Sequence, residues 1–336
     1  MDIVELTRRL VDIESITGNE LQAGTYLFDY LSGLARSTGG AVERMDVEAS
    51  RRFNVLACWG EPAVTLSTHI DTVPPFFPSR EDAGFIWGRG SCDAKGIAAS
   101  MILAAEKLRE QGISGFALLF LVGEERNSAG AFVAAQSPRG CAYVINGEPT
   151  QNKLALASKG SLRLEVHARG RAAHSAYPEL GVSAIDGLLD ALEKIRRIPL
   201  PSDEVLGSCT LNIGTIEGGR APNVIADSAR AEVLIRLVGD PGPIRQAIAA
   251  AAQGHADVNE IVCVPPVHFD RVDGYPTTVV SFTTDIPALT PSWGKPLLIG
   301  PGDIRLAHTA EERVAKNELL DAVEIYTNLT RQLLAR

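Results

Sequence analysis

Seven consecutive apolar residues, Phe116 to Val122, stand between Gly115 and Gly123. The run is short enough for a strand, and with no polar residue alternating in it, it reads as a strand buried on both faces. Ahead of it lies a helical pattern, Ile97 to Gln111, and ahead of that a short apolar, β-branched run, Ala63 to Ser67. Strand, helix and strand in alternation are the pattern of a mostly parallel sheet covered by helices. The expected fold class is therefore α/β, a mostly parallel, mixed sheet flanked by helices.

Open sheets of this kind place their ligands beyond the carboxyl ends of the strands, and polar residues cluster there. His69 and Asp71 follow the run at Ala63 to Ser67. Residues two apart on an extended chain point to one side, so Asp71 has the spacing to orient a ligating His69. Glycines 88, 90 and 96 flank Asp93, which falls on a tight turn where the helix begins. Glu124 and Glu125 come directly after the Phe116 to Val122 strand, and Glu148 follows the next one, Ala142 to Asn146. An isolated HxD, or two adjacent glutamates, is common in chains without a metal site. The weight lies in their order along one sheet edge.

The chain opens with helical patterns at Ile3 to Ile13 and Asn19 to Ser37, and strands are expected at Ala41 to Val47 and Asn54 to Trp59. From Lys159 the texture changes to strand (Ser161 to Ala168), helix (Val182 to Ile195), strands (Ser208 to Glu217, Asn223 to Leu237), helix (Pro243 to Gln253) and strand (Val258 to Pro265). That βαββαβ order describes a small α+β unit with an antiparallel sheet. The expected division is a larger domain, 1–159 and 269–336, interrupted by an inserted domain, 160–268. His174 and Asn223 fall in loops of the insert. Strands at Thr277 to Phe282 and Pro296 to Gly300, a loop carrying His308, and a helix from Lys316 to Leu334 complete the chain. His167, His255 and His268 have no acidic partner at a telling spacing and read as structural or surface residues.

Composition excludes several partners. A formal net charge of -9 argues against a nucleic-acid backbone or an anionic membrane. No apolar run approaches the roughly 20 residues of a membrane-spanning helix. The five cysteines are odd in number and lack CxxC spacing, which fits reduced thiols and a cytoplasmic location.

In order and spacing, THIDTVP, GRGSCDAKG, GEE, NGEP and LAHT resemble the di-zinc amidohydrolases that include aminoacylases, acetylornithine deacetylase, succinyl-diaminopimelate desuccinylase and carboxypeptidase G. The resemblance implies two zinc ions, with cobalt or manganese as substitutes. His69 and Glu148 would hold one ion and Glu125 and His308 the other, with Asp93 bridging through a turn whose Asp93–Ala94 peptide bond is cis. Glu124 would be the general base. The insert would be a lid and homodimerisation domain, with His174 reaching a neighbouring subunit's site and Asn223 and Arg236 holding the substrate's carboxylate end. The implied substrate is an N-acyl amino acid, closest to acetylornithine or acetyl-lysine, with a dipeptidase or carboxypeptidase, or a metal-binding relative without catalysis, as alternatives. One departure stands out. Members of that family usually carry a helix before the Thr284–Asp285 pair, and the short link from His268 to Thr277 leaves no room for it. Its loss would expose one face of the sheet or leave it to another subunit.

Overall fold

The computed structural model describes residues 1–48, 52–290 and 292–336. The chain divides into two compact units: 1–156 with 269–278 and 284–336, and 157–268 with 279–283.

In the first unit, six strands form one sheet in the order Ala41–Val47, Arg52–Trp59, Phe116–Leu121, Val64–His69, Tyr143–Asn146, Lys295–Leu298. The first two join antiparallel, and Arg52–Trp59 also runs antiparallel to Phe116–Leu121. From Phe116–Leu121 onward the neighbours are parallel. Val64–His69 and Phe116–Leu121 are buried at every position. Alternate residues explain this. Val64, Leu66, Phe116, Leu118 and Phe120 pack towards the helices Ile3–Val11, Leu21–Thr38, Lys95–Glu110 and Lys316–Leu334. Ala117, Leu119, Leu121 and Val144 pack the other way, against Ala131, Ala134, Leu289 and Trp293.

The helix Lys95–Glu110 is buried around much of its circumference, as expected of a helix wedged between a sheet and other helices. The short helices Ala129–Ala135 and Ile286–Leu289, which the sequence pattern did not indicate, cover the opposite face. From Phe269 to Pro276 the link holds no helix, and Phe269 and Val272 turn inward. The expected exposure of one sheet face does not follow, because those short helices and Trp293 already cover it.

The second unit is a four-stranded antiparallel sheet in the order Thr210–Gly218, Ser228–Leu237, Gly160–Arg169, Asp257–Val264. The helices Ala184–Arg196 and Gly242–Ala252 contribute to its apolar core with the inward residues of the sheet. Ser228–Leu237 alternates buried with more exposed positions, the period-2 signature of a strand with one covered face. That strand starts five residues later than the sequence pattern suggests. Pro222 and Asn223 form a turn instead, because proline has no N–H for a ladder.

Candidate metal centre

Four parallel neighbours deliver their carboxyl ends to one edge of the first unit's sheet. His69 is the last residue of Val64–His69, Glu124 and Glu125 follow Phe116–Leu121, and Glu148 follows Tyr143–Asn146. Gly147 lets that last strand end close beneath the helix Lys95–Glu110, since a Cβ there would lie 2.3 Å from Ile97 Cγ2. His308 comes from the loop beyond Lys295–Leu298 with φ +65°, a left-handed conformation that costs a non-glycine residue energy and clusters at functional sites. Asp93 sits in the turn ahead of Lys95–Glu110, and its peptide bond to Ala94 is cis.

Five of these side chains, His69, Asp93, Glu125, Glu148 and His308, converge. Ligand atoms of His69, Asp93 and Glu148 lie within 4.8 Å of one another, as do those of Asp93, Glu125 and His308. Asp93 belongs to both groups. Its Oδ1 is 2.9 Å from His69 Nε2 and its Oδ2 is 3.5 Å from His308 Nε2. His308 Nε2 also stands 2.9 Å from Glu125 Oε2. One carboxylate with an oxygen towards each histidine is the arrangement of a bridging ligand. The donor set fits zinc, which takes imidazole and carboxylate together. A further sign is Glu148 Oε1, buried without a hydrogen-bond partner among the described residues, a costly state unless another group satisfies it.

The contacts behind the ligands differ in detail from the expected pattern. His69 Nδ1 lies 3.0 Å from the backbone carbonyl of Asp71 and 3.5 Å from its carboxylate. Donation to that carbonyl occupies Nδ1 and leaves Nε2 as the ring nitrogen that faces Asp93. The Asp71 carboxylate accepts instead from the backbone N–H groups of Glu124 (3.0 Å) and Glu125 (3.2 Å), and from Thr17 Oγ1 (2.7 Å). Asp71 therefore holds the two glutamates as well as the histidine. Thr17 carries no motif by which the sequence would single it out. Asp285 is buried, and neither of its oxygens has a hydrogen-bond partner among the described residues. Burial pushes its carboxyl up to about 7.

Protonation follows from the crowding of acids. Burial raises the carboxyls of Glu124 and Glu148 well above the usual range, and raises Glu125 as well. For Asp93 burial acts upward too, but the contacts with His308 and His69 outweigh it and hold the group low. Burial would depress His69, yet its contacts with Asp71 and Asp93 lift it well above an ordinary histidine. Hydrogen bonding to Asp93 and Glu125 raises His308 to about 10. Both imidazoles stand among carboxylates whose charge a cation could also compensate.

The remaining expected site residues, His174, Asn223 and Arg236, lie in the second unit. The loops of the first two run side by side, with Ser175 N donating to Asn223 O at 3.0 Å and a bridge between His174 and Val224. Arg236 lies across from Ser161 and Thr210. It is half-buried, and burial lowers its pKa.

A peptidase M20 domain-containing protein of Schizosaccharomyces pombe is 40% identical to this chain over 339 residues, covering 98% of this chain and 84% of its own length. The chain belongs to the M20 peptidase family. Membership makes it a hydrolase of the metallopeptidase class. Residues 156–260 match the family's peptidase dimerisation domain. A protein of Aspergillus flavus named "probable carboxypeptidase" is 36% identical, covering 98% of this chain and 87% of its own. Among solved structures, the aminopeptidase PepT of Bacillus cereus superposes with a TM-score of 0.78 at 22% identity, covering 99% of this chain and 98% of that one. An M20 family metallo-carboxypeptidase of Sulfolobus solfataricus gives the same score at 14% identity, with 99% of each chain covered. These two share the fold.

The raised pKa of His308 has a measurable sign. A histidine held above its unfolded value, near 6.5, stabilises the folded chain fully below that pH, and the contribution is lost as pH rises through about 10. In the presence of a chelator, His308→Gln is expected to melt below the wild type at pH 6, with the gap closing towards pH 10. A gap that does not change with pH would contradict the contacts described.

Proposed function

We propose that this chain is a dinuclear metal hydrolase that cleaves an amide bond next to a free α-carboxylate. The observation that carries the reading is the pair of ligand clusters with Asp93 common to both. His69, Asp93 and Glu148 would hold one cation, and Asp93, Glu125 and His308 the other. When bound, two zinc ions supply Lewis acidity towards a carbonyl oxygen and water. Glu124, on the same loop as Glu125, accepts the proton of the attacking water and delivers it to the leaving amine nitrogen. Burial raises its carboxyl, the direction that makes a carboxylate a stronger base. Asp71 keeps Glu124 in register by accepting its backbone N–H.

The proposed substrate is an N-acyl amino acid, with acetylated ornithine or lysine as the first candidates from the resemblance of the loops. A carboxypeptidase or dipeptidase is the second reading, favoured by the names of the Aspergillus flavus and Sulfolobus solfataricus proteins. The two substrates present the same chemistry at the scissile bond. Arg236 supports both. It is a half-buried guanidinium whose pKa is shifted by burial alone, suited to a bidentate contact with a carboxylate.

The matched dimerisation domain supports a homodimer through residues 160–268. The strand Thr210–Gly218 is an edge strand with Ile216 exposed, and Ile185 and Leu189 are exposed on the helix Ala184–Arg196. We assign Asn223 to the substrate's carboxylate end, and His174 to a neighbouring subunit's site, where it would stabilise the oxyanion that forms during hydrolysis. Five free thiols are compatible with a reducing, cytoplasmic location.

With Glu124→Gln, both cations should still bind, while kcat falls by about 100- to 10,000-fold. Turnover like the wild type's would remove Glu124 from the reaction. The substrate class is decided by kcat/KM of the zinc-loaded protein for N-acetylornithine, N-acetyllysine, N-succinyl-diaminopimelate and a dipeptide panel. The deacylase reading expects the N-acyl amino acids to lead. A dipeptide preferred by more than about tenfold, near 1.4 kcal/mol of discrimination, would favour the peptidase reading.

A further inference from the structure

The turn that presents Asp93 is held by a residue distant in sequence. Between the strand Phe85–Trp87 and the helix Lys95–Glu110, Gly88 adopts φ +140° and Gly90 φ +87°. A Cβ on Gly90 would approach Thr72 Cγ2 to 2.8 Å, so the turn is tightly packed as well as unusual in conformation. The backbone N–H groups of Gly90, Cys92 and Asp93 point to one place. Glu312 Oε1 fills it, at 2.8, 3.3 and 3.2 Å. A concave run of backbone N–H groups is an anion site, and here the anion belongs to the chain itself.

The other oxygen of Glu312 accepts from Arg89 Nη1, and Arg89 Nε donates to the carbonyl of Pro75 at 3.2 Å. Arg89 and Glu312 are 2% and 1% exposed. The Glu312 carbonyl also accepts the Gly88 N–H at 3.1 Å, and the strand Arg313–Ala315 that follows pairs with Phe85–Trp87. Glu312 comes shortly after His308, so one residue ties the His308 loop to the Asp93 turn.

We propose that Glu312, with Arg89 as its counter-charge, is a positioning residue for the metal centre. It fixes the Gly90–Asp93 turn so that Asp93 offers one oxygen to each histidine. Glu312 acts through the backbone of Asp93, not on a cation or a substrate. The inference rests on the metal-centre reading given above. It has a distinctive consequence, because Asp93 is the residue common to both clusters. A fault in the turn weakens both cation sites, whereas a fault confined to Glu125 or Glu148 would weaken one.

The plainer view is that a buried ion pair only supports the fold. Calorimetric zinc titration of the chelator-stripped chain separates the two, alongside hydrogen exchange of residues 88–96 and thermal melting. Glu312→Gln keeps the volume and one acceptor oxygen but loses the charge. It is expected to weaken both zinc-binding steps by about 10- to 100-fold, with faster exchange concentrated in 88–96. Leu188→Ala, in the core of the second unit, serves as a destabilised control whose zinc affinities should match the wild type's. Should Glu312→Gln not fold, Glu312→Asp retains the charge with a shorter reach and is expected to weaken both steps in the same way. A folded Glu312 variant that melts lower but binds zinc within twofold of the wild type would overturn the proposal. If the wild type itself binds no zinc, the metal-centre reading fails. Exchange then judges the contact alone: unchanged exchange of 88–96 in Glu312→Gln would overturn it, and faster exchange would support it.

Discussion

The convergence of negative groups at one sheet edge is the constraint on which the rest of the first unit depends. Asp93, Glu124, Glu125 and Glu148 gather there with Asp71 and Asp285 close behind, most of them cut off from water. Carboxylates in such a setting cannot all be ionised without a compensating positive charge. Two histidines compensate in part, each lifted by its acidic contacts, and Asp93 stays ionised between them. A pair of divalent cations would answer the same need. On this account, the shared carboxylate is a consequence of electrostatics as much as of geometry.

The sheet supplies the precision. Parallel strands end at one edge, so side chains from distant parts of the sequence arrive together without long excursions. His69 ends one strand, the glutamate pair follows its neighbour, and Glu148 follows the next. Backbone groups then fix the loops. Asp71 accepts the N–H groups of both glutamates, and Glu312 accepts those around Asp93. In each case a buried acid binds a turn's donors, which spares the turn the cost of unpaired N–H groups.

Much of this was legible in the sequence. Short apolar or β-branched runs marked the buried strands, and the polar residues after each run marked the edge where His69, Glu125 and Glu148 meet. The order of strands and helices after Lys159 marked the second unit as a small α+β fold with an antiparallel sheet. What was not legible depended on long-range contacts. The helix Ala129–Ala135, rich in small residues, is short and lacks a clear amphipathic stripe. Glu311 and Glu312 read alike as adjacent acids, yet Glu311 is exposed and Glu312 buried, a difference set by Arg89 and the Gly88–Asp93 turn far earlier in the chain. The Asp71 carbonyl on His69 was hidden for another reason, since side-chain spacing carries no information about a backbone acceptor.

We propose that Asp93 is shared between two cations, each held by one histidine and one further glutamate. Diffraction from zinc-loaded crystals at the zinc absorption edge measures this directly. Two anomalous peaks are expected, one against His69 and Glu148 and the other against Glu125 and His308, with the Asp93 carboxylate between them. A single peak, or peaks away from these residues, would contradict it.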